Sequence, residues 1–204
     1  MSYPEFFDRV PRVRLRDPLA EFLGAAEGGL IDYGYPDAVR LAGHSCPTVA
    51  GAYWLTRQAL RALYGDAPPE RGGVHASFRD SQLNGVTGVV ANVVALLTGG
   101  TVDTGFKGLG GRFDRRRLLA FDVAQPLDIR FTRVDSGDAV DAAAQVRHVP
   151  ADPQMAPLMQ RCVAGEASAD EARRFRELWQ DRVRRVLLEH GDDPAVFVIR
   201  RVER

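Results

Sequence analysis

His44 and Cys46 stand two residues apart in LAGHSCPTVAGAYWL (residues 41–55), directly ahead of Pro47. An imidazole and a thiol in reach of one another can hold a borderline metal, or serve as base and nucleophile. Pro47 suits a first helical position, and Val49, Ala52, Tyr53, Ala59, Leu60 and Leu63 recur at three- and four-residue spacing. The chain from Pro47 therefore reads as a helix, with Ser45 or Cys46 as its cap. A thiol at that cap faces the free N–H groups and the positive end of the helix dipole, which favour thiolate over thiol. In extended chain His44 points to the same side as Cys46, because extended side chains repeat every two residues.

Three readings stay open on this spacing. The pair can be two ligands of a divalent metal, zinc first and iron or nickel next, with the other donors coming from elsewhere in the chain, from water or from a second copy. His44 can activate Cys46 as a nucleophile. Or Cys46 is a small buried hydrophobe and His44 a loop residue.

A second candidate is Lys107. Of the 27 basic residues it is the one lysine, all others being arginine. A GC-rich genome explains the arginines but leaves the lysine unexplained; an ammonium is a compact charge that a guanidinium does not replace. His75 and Asp80, in VHASFRDSQLNG, are further possible donors, whereas His148 and His190 read as surface or cap residues. The glycines of GFKGLGG (105–111) match neither phosphate-loop pattern; they suit close approach of backbone to a ligand or a partner chain. The basic run around RFDRRR reads as a solvated edge or as a holder of a carboxylate or phosphate.

The elements that must position these groups mix without a regular strand–helix–strand rhythm. DPLAEFLGAAEGGL (17–30) is a short helix capped by Asp17, and 33–45 is loop or short strand. VHASFRD (74–80) is a strand and 85–100 a buried helix. RLLAFDVA and PLDIRFTRV are strands separated by a Gln-Pro turn. Helical composition marks 135–149 and 151–165. The segment 168–191 is the clearest helix, with a Ser168–Glu171 capping box and Gly191 as its stop. PAVFVIRRV (194–202) closes as a strand. The expected fold is α+β: one domain over 1–204, a small, mostly antiparallel sheet packed with helices, with 135–191 as a helical elaboration.

The bulk numbers narrow the function. The charges balance, 27 basic against 27 acidic, so no net charge points to nucleic acid or an anionic membrane. No apolar run approaches the ~20 residues of a membrane span. The N-terminal stretch is charged and interrupted by prolines, unlike a secretory signal. A cytoplasmic protein is expected, with Cys46 and Cys162 as free thiols. No CxxC pair offers a closed zinc knuckle.

AGHSCPTVAGAY (42–53), followed by ALLTGGTVDTGFKGLGG (95–111), resembles the FmdE-like family, named after a component of formylmethanofuran dehydrogenase, over roughly residues 38–133. In that family a Gly-His-x-Cys-Pro-Gly motif opens a helix. A later segment with T-G-C-T and G-K-G-N elements leads to a hydrophobic strand. The resemblance implies an α+β domain that pairs into homodimers. It implies a metal-binding site at His44 and Cys46, with His75 as a further ligand to fill the gap, and Lys107 at the family's lysine. Cys46 and Lys107 would then be the catalytic residues acting on a small molecule. The alternative is a non-catalytic accessory module binding a metal or haem. The sequence departs from the pattern at Thr48, which replaces the motif's last glycine, and at Gly100, where many members carry a cysteine. No cysteine-rich tail follows.

Overall fold

A computed structural model describes residues 3–203; Met1, Ser2 and Arg204, the ends of the expected domain, lie outside the described residues. In chain order the elements are β1 (Val13–Arg16), α1 (Pro18–Phe22), β2 (Leu30–Tyr33), α2 (Tyr35–Ala42), α3 (Pro47–Tyr64), β3 (Val74–Phe78) and α4 (Thr87–Thr98). They continue with β4 (Leu119–Ala120), β5 (Ile129–Arg133), β6 (Ala139–Ala144), α5 (Met155–Ala164), α6 (Ala169–Arg184) and β7 (Phe197–Arg201). The fold is α+β. Five strands lie in the order β4-β3-β5-β6-β7, all neighbours antiparallel except β3 and β4. β1 and β2 form a separate antiparallel pair. Among the described residues no helix is long and apolar enough to cross a membrane.

α3 is the centre. From Pro47 to Thr56 its sequence is apolar almost all round, the signature of a helical segment with no solvent face, and Val49, Ala50, Ala52, Tyr53, Trp54, Leu55, Thr56, Ala59 and Leu60 are buried, whereas Arg61 near its end is exposed. One side packs on the sheet, where Val74, Ala76, Phe78, Phe131, Val140 and Ala142 point inward at alternate positions. α2, α4 and the turn after α6 cover the others. The polar atoms that α3 carries inside are satisfied: Tyr53 Oη donates to the Pro11 carbonyl at 2.9 Å, Trp54 Nε1 to the Gly191 carbonyl at 2.6 Å, and Thr56 Oγ1 to the Ala52 carbonyl at 2.7 Å. Such bonds are required, since an unmade one costs about 1–3 kcal/mol.

Three expectations are corrected. The segment 135–149 is not helical: it holds β6, an interior strand between β5 and β7, followed by a short 3-10 turn at Val146–His148. Its alanines suggest helix by propensity, but the close approach of α3 needs small side chains there. A Cβ on Gly51 of α3 would lie 2.8 Å from Val146 Cγ1 and 3.6 Å from Ala144 Cβ. Tertiary pairing overrides propensity, and the helical elaboration consists of α5 and α6. The stretch 33–45 is mostly helix α2, whose first turn carries Pro36 and whose end is Gly43 in the left-handed conformation, φ 75°. The helix expected over 168–191 changes character after Arg184. Arg185–Glu189 form a π-helical turn that buries Val186 and Leu187. The Ser168–Glu171 capping box is present.

The glycine-rich segment 101–117 forms an arm. Leu109 and Arg112 exchange backbone hydrogen bonds of 2.9 and 3.0 Å around Gly110 and Gly111, both at positive φ (55° and 77°). This is a two-residue hairpin turn that glycines adopt without strain. The arm is fastened through Asp17. As the cap of α1, Asp17 accepts from Leu19 N and Ala20 N through one oxygen. That carboxylate also accepts Arg71 Nη1 at 3.0 Å and Arg115 Nη2 at 2.6 Å. Burial works to raise the Asp17 carboxyl, but the Arg71 and Ala20 hydrogen bonds and the charges of Arg115 and Arg71 outweigh it and hold it below its ordinary 3.8. A depressed carboxyl contributes stability that is present above its unfolded pKa and lost as pH falls through the folded one. Acid unfolding followed by circular dichroism should therefore show stability falling below about pH 4. Asp17→Asn should flatten that slope and cost about 3–5 kcal/mol at neutral pH, because it leaves two arginines facing a neutral amide.

Candidate functional site

The linker Gly43-His44-Ser45 turns the chain from α2 into α3, and Cys46 is the N-cap. Its backbone is extended (φ −148°, ψ 166°) and its Sγ accepts the N–H of Val49 at 3.4 Å. The residue is 8% exposed and belongs to the hydrophobic core. His44 is exposed, and its Nδ1 donates to the Ala42 carbonyl at 2.9 Å. The two side chains thus sit in different surroundings, the imidazole on the surface and the thiol inside.

Ser45 between them is the anchor. The Tyr35 hydroxyl donates to Ser45 Oγ at 2.9 Å, and Ser45 Oγ donates to Gln180 Oε1 at 3.0 Å. The Ser45 carbonyl accepts Trp179 Nε1 at 2.9 Å and Gln180 Nε2 at 3.3 Å. Burial pushes the Tyr35 phenol well above its ordinary value, so it stays a donor. α6 therefore grips the linker from a distance of more than 130 residues in the chain, a tie that no local sequence signal announces.

The other expected site residues lie elsewhere. His75 is half-buried in β3, opposite Thr132 of β5. Its neighbours Val74 and Ala76 face α3, so the pleat turns His75 to the opposite face of the sheet. Burial lowers its imidazole below the ordinary 6.5. Lys107 is exposed on the glycine-rich arm. Asp80 follows β3 and is partly buried. His148 Nδ1 bonds the Ala195 carbonyl at 2.8 Å and His190 Nδ1 the Asp193 carboxylate at 3.0 Å. Among the described residues no three His, Cys, Asp or Glu side chains gather into a group that could hold a metal ion. His44 and Cys46 supply at most two donors in one chain.

A cleft does open against the same helix. It has a volume of about 210 Å³ and lies between the first half of α3, the start of α4 and the ends of β3, β5 and β6. Gly51, Ala52 and Leu55 form the α3 wall, Phe78 and Ile129 the sheet wall, and Val86 and Val90 the α4 wall. Polar groups are few: the hydroxyls of Thr48 and Thr87 and the carboxylates of Asp80 and Asp128. Arg79 ties the last two, at 2.6 Å from Asp128 Oδ1 and 3.5 Å from Asp80 Oδ1. Cys46, His44, His75 and Lys107 do not line it. Thr48, two residues after the cap cysteine, does. Beyond Thr48 in the motif, only Asp80 among the lining residues carries a signal in the sequence, as a carboxylate ending a strand; the small pair Gly51-Ala52 is hidden inside a helical pattern.

The chain matches no family model and no curated protein.

The burial of Cys46 sets its reactivity. A thiol reagent applied to the native protein should modify the half-buried Cys162 first, and Cys46 only at the rate at which α3 opens. In denaturant the two rates should converge. Peptide mapping by mass spectrometry after timed alkylation reads both, and equal native rates would show that the cap is open.

Proposed function

We propose that the protein is a small-molecule-binding domain of FmdE-like kind, with its ligand in the cleft against the first half of α3. The observation that carries this reading is the cleft itself, with apolar walls and a handful of converging polar groups, the usual make-up of a ligand site. At about 210 Å³ it is smaller than the roughly 300–1,000 Å³ of drug-sized sites, so the ligand is a compact molecule. Thr48, where the sequence departs from the family motif, stands in the cleft wall two residues after the cap cysteine. Gly51 and Ala52 keep the wall open, and Thr48, Thr87, Asp80 and Asp128 would orient what enters. The reading asserts binding and assigns no reaction.

A metal-dependent form of this reading has one observation in its favour. Nδ1 of His44 is engaged by the Ala42 carbonyl, which leaves Nε2 with its lone pair outward, an arrangement common to metal-bound imidazoles. Cys46 is turned into the core and would have to swing outward to become a second donor. The residues of one chain do not complete a zinc site. A metal here, zinc first, would take its remaining donors from a second copy in a homodimer or from solvent.

The two forms separate experimentally. Ligand-observed NMR with a fragment library should give hits that Ala52→Leu, which narrows the cleft, weakens at least about tenfold. Overpacking should lower the melting temperature of the variant, and circular dichroism checks that it is folded at the assay temperature. His44→Ala should leave those hits unchanged. Elemental analysis of the purified protein should find zinc, lost in His44→Ala, if the metal form holds. Hits that survive Ala52→Leu would overturn the cleft reading.

A further inference from the structure

A second cavity, about 400 Å³, lies away from the cleft and shares no lining residue with it. It is bounded by the junction of β1 and α1 (Arg16, Pro18), by residues 70–72 and by residues 112–115 of the glycine-rich arm. Four arginines line it: Arg16, Arg71, Arg112 and Arg115.

Their charges are not evenly matched. Arg71 and Arg115 share the single carboxylate of Asp17. Arg112 is exposed, stacked on the Phe113 ring at 4.7 Å, and has no ion pair among the described residues. The two carboxylates that line the cavity each face a guanidinium. Glu70 lies 3.6 Å from Arg16, which also bonds Glu21 at 2.5 Å, and Asp114 accepts Arg116 Nη2 at 2.7 Å. Arg16 with its two glutamates leaves one negative charge over, but that group is half-exposed at the rim, where water screens it. Arg71 and Arg115 less Asp17 leave one positive charge and Arg112 adds another, of which Glu70, a lining residue whose charge also acts on Arg115, offsets part.

An independent observation points the same way. Arg115 is 6% exposed, and its Nη1 is buried without any hydrogen-bond partner among the described residues. The chain makes room for this guanidinium with two glycines. A Cβ on Gly72 would lie 2.3 Å from Nη1, and one on Gly99 would lie 2.6 Å from it. Burying a guanidinium short of partners is costly, and an oxyanion in the cavity that the exposed part of Arg115 lines would reduce that cost through its charge. Burial first, and then the charge of Arg71, act to lower the Arg115 guanidinium against the pull of Asp17 and, more weakly, of Glu70, so a further anion beside it is electrostatically favourable.

We propose that this pocket is a phosphate site, holding a phosphate ion or the phosphoryl group of a small monoester between Arg71, Arg112 and Arg115. A phosphate anion answers the surplus positive charge, and the planar guanidiniums of residue 71 and of the arm match its oxygens in forked pairs. The site is independent of the cleft and of any metal.

Titration of the full chain with inorganic phosphate at low salt tests it. Calorimetry should show saturable binding with a dissociation constant of about 1 mM or tighter, weakened by added salt. The side-chain Nε–H resonances of Arg71 and Arg115 should shift in step. Arg112→Ala, at an exposed position with no ion pair among the described residues, should fold normally and bind about tenfold more weakly. Arg115→Lys should bind more weakly still, and if that variant fails to fold, Arg112→Ala decides alone. Glycerol phosphate in a parallel arm distinguishes an ester ligand from the free ion, and binding of either supports the site. Absence of saturation, unchanged affinity in Arg112→Ala, or acetate binding as tightly as phosphate would overturn the proposal.

Discussion

The constraint on which the structure depends is the burial of α3 on nearly every side. A helix without a solvent face must be surrounded, and each neighbour is shaped by what that helix presents to it. Toward the sheet it presents Gly51 and Ala52, so β6 can come close enough that its own inward residues are alanines and valine. Toward the C-terminal end of the chain it presents Trp54. A Cβ at Gly191 would lie 2.3 Å from Trp54 Cζ2, so the chain leaving the π-helical turn must be glycine there. Toward the β1–β2 pair it presents Tyr53, whose hydroxyl satisfies the carbonyls of Pro11 and Tyr33. Close packing of this kind has few alternatives, and so one helix organises both the sheet and the segments before it.

The cleft is a by-product of the same packing. Small residues let α3 approach β6, yet the sheet twists away from a straight helix, and near the N-terminal half the gap between them is filled by no large side chain. The walls contributed by α4 and by the ends of β3 and β5 close the rest. The GHSCPT motif sits at the entry to this arrangement, held by hydrogen bonds to Tyr35, Trp179 and Gln180. Its cysteine faces the core and its histidine faces water, so the motif acts first as a helix start whose position is over-determined.

Electrostatics takes over where packing ends. The glycine-rich arm contributes Arg115 to a buried arrangement of two guanidiniums about one carboxylate, joining the start of α1, residue 71 and the arm itself. The glycines at 72 and 99 are needed for that guanidinium's space, and those at 110 and 111 for the hairpin turn. The basic run that reads as a solvated edge is divided by the fold. Arg115 goes inside, Arg116 pairs with Asp114, and Arg112 is left at the lip of the pocket.

Local chemistry alone settles much of this protein. Pro47 after a capping residue starts α3, the Ser168–Glu171 box starts α6, Asp17 caps α1, and alternation marks β3 and β5; each depends on contacts within one turn or one strand, which is why the sequence shows them. The identity of β6 cannot be read this way, because an alanine-rich hexamer becomes a strand only when β5 and β7 flank it. The facing of His44 and Cys46 is equally out of reach. Extended-chain spacing puts both on one side, but the Ala42 carbonyl draws the imidazole back to the surface while the core takes the thiol. His75 reads correctly as a strand residue, yet only the register with β5 and the position of α3 decide which face it occupies. Covalent neighbours determine how a segment begins and ends; which of its side chains meet is determined by elements far away in the chain, and in this protein that is where the candidate sites are made.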